Sequence, residues 1–190
     1  MKNRNQYHEL IQNFQIGLEV GVEYGYFTEQ LLSNWDGKMV CVDYWDKQEN
    51  DEYNEPVNYK DFSHMLIDFT LRIKKFEDRV LVIKNKSKVA SNFFPDEYFD
   101  FIFIDANHSY ESVKEDLNIW WPKLKSKGLF SGHDWLHNFY PNQGKNMSVY
   151  YDNNYIGEYG VNSALTEFCA EKNYSFEVTE EEFATWFFYK

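Results

Sequence analysis

Apolar and polar positions follow two rhythms along this chain. Short, nearly unbroken apolar runs end in an acid or a glycine, at residues 16–21 (IGLEVG), 38–43 (KMVCVD), 80–83, 99–105 and 128–132. Such runs predict strands buried on both faces of a parallel sheet. Between them, apolar residues recur every three or four positions, the helical spacing. Residues 28–35 predict a helix with Thr28 as its N-cap. Residues 58–76 carry Phe62, Met65, Leu66, Phe69 and Ile73 on one face, and 109–124 carry Tyr110, Val113, Leu117, Trp120 and Leu124. Residues 87–94 predict a short helical turn, 161–171 a last helix, and 1–15 a short helix laid against the domain through Tyr7, Leu10, Ile11 and Phe14. Segments 175–178 and 183–188 follow one another closely enough to pair as a hairpin.

This alternation requires right-handed crossovers with helices on both faces of the sheet. The expected fold is α/β, a Rossmann-like three-layer αβα sandwich in one domain over residues 1–190. Its seven-stranded sheet is mostly parallel, with one antiparallel strand in an edge hairpin. Residues 44–57 read as an acidic loop. Residues 135–159 lack periodicity and are rich in Asn, Tyr and Gly. A loop of that length in a compact domain suits a substrate-shaping role. Its aromatics Phe139, Tyr140, Tyr150, Tyr151 and Tyr155 would stack on an acceptor or lie at a subunit interface.

The strand ends carry the chemistry. The run 101–104 leads into Asp105, Asn107 and His108, and the run 129–132 into His133, Asp134 and Trp135. In open α/β sheets ligands bind outside the carboxyl ends of the strands, so these two clusters predict one shared site. At the first turn, Glu19 precedes Gly21-x-x-x-Gly25. A dinucleotide fingerprint requires G-x-G-x-x-G, and here Glu23 stands where the second glycine belongs, crowding and repelling a pyrophosphate. Glu19, Glu23 and Asp43 suit instead a cationic ligand carrying an ammonium or sulfonium group. Asp43 follows Gly21 by about 20 residues, the interval at which an acid binds a ribose hydroxyl pair.

Composition narrows the partners. A net charge of −12 with only 19 Lys+Arg argues against nucleic acid and anionic membrane surfaces. Aromatic residues make up 20% of the chain, enough for core, pocket and a possible homo-oligomer interface. Two cysteines, Cys41 and Cys169, provide no disulfide scaffold, and the first 15 residues lack an apolar signal region. The expected location is cytoplasmic, and no apolar run is long enough to span a bilayer.

The segments LEVGVEYG, CVDYWD and SKVASNFFPDEYFDFIFIDANHSYESVKEDLNIWWPKLKSKGLFSGHDW resemble the class I S-adenosylmethionine-dependent methyltransferases. Within that class they are similar to the small macrocin- and catechol-type O-methyltransferases. The resemblance covers about residues 16–135, with a weaker echo over residues 160–165. It implies that Glu19, Gly21 and Gly25 frame the methionine end of S-adenosyl-L-methionine, beside Glu23 of the same acidic pocket, and that Asp43 binds the ribose. Ser87 and Ala90 would contact adenine, although Ser87 equally suits a helix N-cap. Asp105 would lie under the sulfonium.

Metal-dependent members of that group hold Mg²⁺ with acids at the positions of Asp105 and Asp134, and the ion acidifies a substrate hydroxyl. A set of Asp105, His133 and Asp134 would hold Mg²⁺ or another divalent cation here. His133 replaces an acid of the family, and Asn107 stands where another acid is the proposed base. His108 or His133 then remains as base, unless the metal alone lowers the hydroxyl pKa; hydrogen bonding that orients loops is the plainer role for both. Trp135 would pack on the cofactor or fill the core.

The expected activity is methyl transfer to a small hydroxylated metabolite. A non-catalytic S-adenosylmethionine-binding module, which Asn107 favours, is the alternative. A nicotinamide-dependent oxidoreductase is opposed by Glu23 and by the absence of a Tyr-x-x-x-Lys pair after the fifth strand.

Overall fold

The computed structural model describes residues 1–46, 61–137 and 159–190. Most of the predicted acidic loop, the first residues of the helix predicted from 58, and loop positions 138–158 with their five aromatics lie outside the described residues. Seven strands form one sheet: β1 (Ile16–Val20), β2 (Lys38–Asp43), β3 (Val80–Lys84), β4 (Phe99–Ile104), β5 (Leu124–Leu136), β6 (Glu177–Val178) and β7 (Phe183–Tyr189). Their order is β3-β2-β1-β4-β5-β7-β6. Strand β7 runs antiparallel to both neighbours, and the other pairs are parallel. The antiparallel strand therefore belongs to the terminal hairpin, as expected, but the short β6 takes the edge.

Helices α1 (Tyr7–Leu10), α2 (Tyr26–Asn34), α3 (Phe62–Ile73), α4 (Ser87–Ser91), α5 (Tyr110–Trp120) and α6 (Val161–Lys172) cover the two faces. Strand side chains alternate between faces, and the core divides accordingly. Leu18, Val20, Ile102 and Ile104 pack with Val113, Leu117, Trp120, Leu165 and Phe168 from α5 and α6. Met39, Cys41, Phe101 and Phe103 pack with Tyr7, Ile11, Phe27, Leu31, Met65 and Phe69 from the opposite layer. Among the described residues, no helix is long and apolar enough to cross a membrane.

Three local expectations change. The N-terminal helix is shorter, with a 3-10 turn over Arg4–Gln6 leading into a single α-turn. Burial rather than helix length fixes it: Tyr7 and Ile11 are fully buried, and the Tyr7 hydroxyl meets Ser131 Oγ at 2.5 Å. Thr28 is not an N-cap. Helix α2 starts at Tyr26 behind Gly25, and Thr28 is buried inside its first turn. Strand β5 runs from Leu124 rather than Gly128, because β4 pairs with it from Phe99↔Leu124 and β7 continues alongside to Leu136↔Phe183.

Candidate active site

The ends of β1 and β2 are tied together by one side chain. Asp43 Oδ2 accepts the backbone N–H groups of Val22 and Glu23 at 2.8 and 2.9 Å, and its Oδ1 accepts that of Trp45 at 2.9 Å. The turn between them requires left-handed backbone. Gly21 has φ 86°, and a Cβ there would fall 2.0 Å from the Asp105 carbonyl oxygen. Glu23 also adopts φ 53°, a region that favours glycine. Gly25, with φ 73°, then opens α2, and its N–H donates to the Val22 carbonyl at 2.8 Å.

Glu19 lies beneath this turn, 1% exposed, and accepts the Thr28 hydroxyl at 2.5 Å. Burial pushes its carboxyl up to about 8, against the Thr28 hydrogen bond and the Arg4 charge, which pull it down. Glu19 therefore keeps its proton near neutrality and joins β1 to α2. The negative field expected from three acids at this turn is correspondingly weaker.

At the ends of β4 and β5, Asp105, His108 and Asp134 each offer a ligand atom within 4.8 Å of the others. His108 Nε2 is 2.8 Å from Asp134 Oδ2 and 3.6 Å from Asp105 Oδ1. A register shift between Gly132 and Trp135 and the left-handed φ of 62° at Asp134 interrupt the β5 ladder here. Irregularities of this kind re-aim side chains at strand ends. The Tyr159 hydroxyl donates to the Asp134 carbonyl, and the Gly160 N–H to the His108 carbonyl at 2.8 Å. His133 stands at the border, with Nδ1 3.4 Å from Asp134 Oδ1 and 4.0 Å from Asp105 Oδ1. Among the described residues, the mutually close ligand atoms come from Asp105, His108 and Asp134, with His133 beside them.

Arg4 completes the cluster. Its Nη2 donates to Asp105 Oδ2 at 2.8 Å, and its guanidinium lies over the Phe27 and Phe103 rings at 4.1 and 5.0 Å. Burial alone would lift the Asp105 carboxyl. The Arg4 charge, the His108 hydrogen bond and the His133 charge overcome it and hold the group below the usual carboxylate range. Asp134 is held well below that range against its own burial, mainly by His108 and then by His133.

A cavity of about 840 Å³ joins these parts. Its lining includes Glu19, Gly21, Glu23, Asp43, Ser87, Asp105, His108 and Asp134 from the sequence reading. Gly25, Ala90 and His133 do not line it. Gly25 packs on Phe69, and Ala90 is fully buried in the core. Ser87 is the first residue of α4 rather than its cap. Its hydroxyl donates to Asp116 Oδ1 and accepts from Trp120 Nε1 at 2.8 Å. Trp135 packs edge-on against Phe176 at 4.9 Å, away from the cavity lining.

The sequence reading missed Arg4 and Asp116. Asp116 is 5% exposed, and burial lifts its carboxyl to about 7. Its signal was present, since a carboxylate sits between Val113, Leu117 and Trp120 on the buried stripe of α5. Arg4 left no such signal in a polar segment.

The chain is similar in fold to several solved structures, at identities that carry the fold alone. A candidate caffeoyl-CoA O-methyltransferase from Staphylococcus aureus aligns with TM-score 0.71 at 19% identity, covering 98% of this chain and 82% of the other. A candidate rRNA methylase from Clostridium thermocellum aligns with TM-score 0.61 at 15% identity, covering 98% and 97%. A candidate O-methyltransferase from Klebsiella pneumoniae aligns with TM-score 0.61 at 13% identity, covering 97% and 78%. No curated protein matches the chain significantly. The model of one family, described as a methyltransferase domain, matches residues 16–135, from the start of β1 to the His133-Asp134 end of β5. On that match, which takes in both strand-end clusters and the turn between β1 and α2, the chain belongs to the methyltransferase-domain family.

Proposed function

We propose that this protein is an S-adenosylmethionine-dependent methyltransferase acting on a hydroxyl group of a small acceptor. The observation that carries the reading is the single cavity shared by the β1–α2 turn, Asp43 and the Asp105–His108–Asp134 cluster. Its volume lies within the range of small-molecule sites. S-adenosylmethionine supplies a methyl group made electrophilic by its sulfonium charge. Residues facing it must hold the methyl carbon in line with the acceptor oxygen at about 3 Å. The turn fits the methionine end, with Asp43 fixing its backbone and retaining lone-pair capacity for a ribose hydroxyl. Ser87 and Asp116 offer polar atoms farther along the same cavity for the adenine.

The cluster has two roles open to it. His108, oriented by Asp134, accepts the proton of the acceptor hydroxyl, and the Asp134 carboxylate stabilises the resulting imidazolium. Asn107 cannot take that proton; its Oδ1 instead accepts the Ser109 N–H at 2.8 Å. Two carboxylates and an imidazole also fit a divalent cation, with Asp105, His108 and Asp134 as ligands. Such an ion, when bound, supplies positive charge that lowers the pKa of a hydroxyl on it.

Calorimetry with S-adenosylhomocysteine and NAD, followed by transfer from labelled S-adenosylmethionine to hydroxylated metabolites with and without Mg²⁺, tests the reading. Binding of S-adenosylhomocysteine with transfer to at least one acceptor is expected. Binding of NAD with no response to S-adenosylhomocysteine rejects it. Tight binding of S-adenosylhomocysteine without transfer to any acceptor favours a binding module instead.

A further inference from the structure

The methyl-transfer reading assigns Arg4 no task, yet this residue reaches the centre of the cluster from 101 positions away in the chain. Its guanidinium takes one Asp105 oxygen and covers two aromatic rings, while its Nε is buried with no hydrogen-bond partner among the described residues. Two anchors keep it there. The Arg4 backbone N–H donates to Glu181 Oε1 at 2.7 Å, and the fully buried Tyr7 pins the following turn to Ser131 on β5. A guanidinium cannot lose its charge in a protein and is weakly hydrated, so it tolerates this half-buried place. A divalent cation seeks the same carboxylate lone pairs and is repelled by a fixed positive charge beside them.

We propose that Arg4 is a built-in cation that competes with a divalent ion for Asp105. The N-terminal segment then sets the metal affinity of the Asp105–His108–Asp134 cluster. This inference rests on the metal-assisted form of the function proposed above. With Arg4 on Oδ2, an incoming ion finds only the other Asp105 oxygen and a cluster with one negative charge already offset. Tight binding requires the guanidinium to withdraw, which means releasing the Glu181 anchor or turning the side chain off Phe27 and Phe103. Metal occupancy and the seating of the N-terminal turn are thereby coupled.

Mn²⁺ titration, read by the paramagnetic signal of the free ion, tests the coupling on the full chain without any turnover. Arg4→Gln is expected to bind Mn²⁺ at least about tenfold more tightly than the wild type, the effect of removing one nearby charge. Arg4→Lys, which keeps the charge, is expected to stay within about threefold of the wild type. Glu181→Ala frees the backbone anchor without touching the cluster and is expected to tighten Mn²⁺ binding about threefold. Calorimetry with S-adenosylhomocysteine on the same proteins separates metal binding from cofactor binding. Equal Mn²⁺ affinity in the wild type and Arg4→Gln overturns the proposal and leaves the metal-assisted reading standing. No Mn²⁺ binding by either, with S-adenosylhomocysteine still bound, overturns both and leaves methyl transfer. If Arg4→Gln does not fold, an unchanged affinity in Glu181→Ala overturns the proposal alone.

Discussion

Asp43 gathers the amide groups of Val22 and Glu23 on a single carboxylate oxygen, and so shapes the turn that faces the cavity. Replacing it by alanine leaves three backbone donors without their acceptor, the third being Trp45. Hydrogen bonds to charged groups carry about 1.5–3 kcal/mol each, part of which water restores at this half-buried place. Asp43→Ala is expected to weaken S-adenosylhomocysteine binding by at least about tenfold. It should also lower stability by about 2 kcal/mol. Calorimetry and urea unfolding report the two effects separately, and unchanged binding would remove Asp43 from the cofactor site.

Glu23 holds a left-handed conformation that costs a non-glycine residue about 1 kcal/mol. Glu23→Gly is therefore expected to raise unfolding stability by up to about 1 kcal/mol, less the entropy that glycine adds to the unfolded chain. A clear loss of stability would mean that side-chain contacts of Glu23 outweigh the backbone strain.

Glu19 links stability to pH. Its carboxyl has an ordinary value of 4.5 and is raised to about 8 in the folded protein by burial. Between those limits the folded chain keeps a proton that the unfolded chain releases, so this contribution falls as pH rises from 4.5 to 8 and is flat beyond. Asp116 acts in the same direction between 3.8 and about 7. Glu19→Gln removes the Glu19 part, on the order of 5 kcal/mol across its window. Its stability curve should run flatter than that of the wild type over pH 5–8, and parallel curves by thermal unfolding would contradict the buried protonated acid.

On the proposed reading Asp105 stands at the reacting centre, and Asp105→Ala is then expected to reduce methyl transfer by more than about 10³-fold. It also leaves Arg4 facing Phe27 and Phe103 without its carboxylate, at a cost of about 2 kcal/mol. The double variant Arg4→Met/Asp105→Ala should recover part of that stability and none of the transfer. A double-mutant cycle with no coupling would show that the ion pair contributes nothing measurable.

The sheet was legible because strand and helix periods differ and each strand ends in punctuation. The residues at those ends were legible for the same reason: a buried run such as Phe101 to Ile104 has only one place to deliver Asp105. Helix α2 was misread at its start because Thr28 has the chemistry of a cap, while the conformation needed there belongs to Gly25. Which of His108 and His133 stands nearer both acids was not legible, since alternation along β5 assigns faces only while the strand stays regular. The shift after Gly132 and the backbone turn at Asp134 break that rule. Arg4 was invisible because its partners, Asp105, Phe27 and Phe103, come together only once the sheet has formed.

Trp186 on β7 donates its indole N–H to the carbonyl of His133 at 3.2 Å, at the place where β5 departs from regular pairing. The aim of Asp134 thus depends on a strand whose bracing residue lies 53 positions farther along the chain. During synthesis the β1–α2 turn can therefore be complete while the end of β5 still lacks this brace, so the two sides of the cavity are finished at different times.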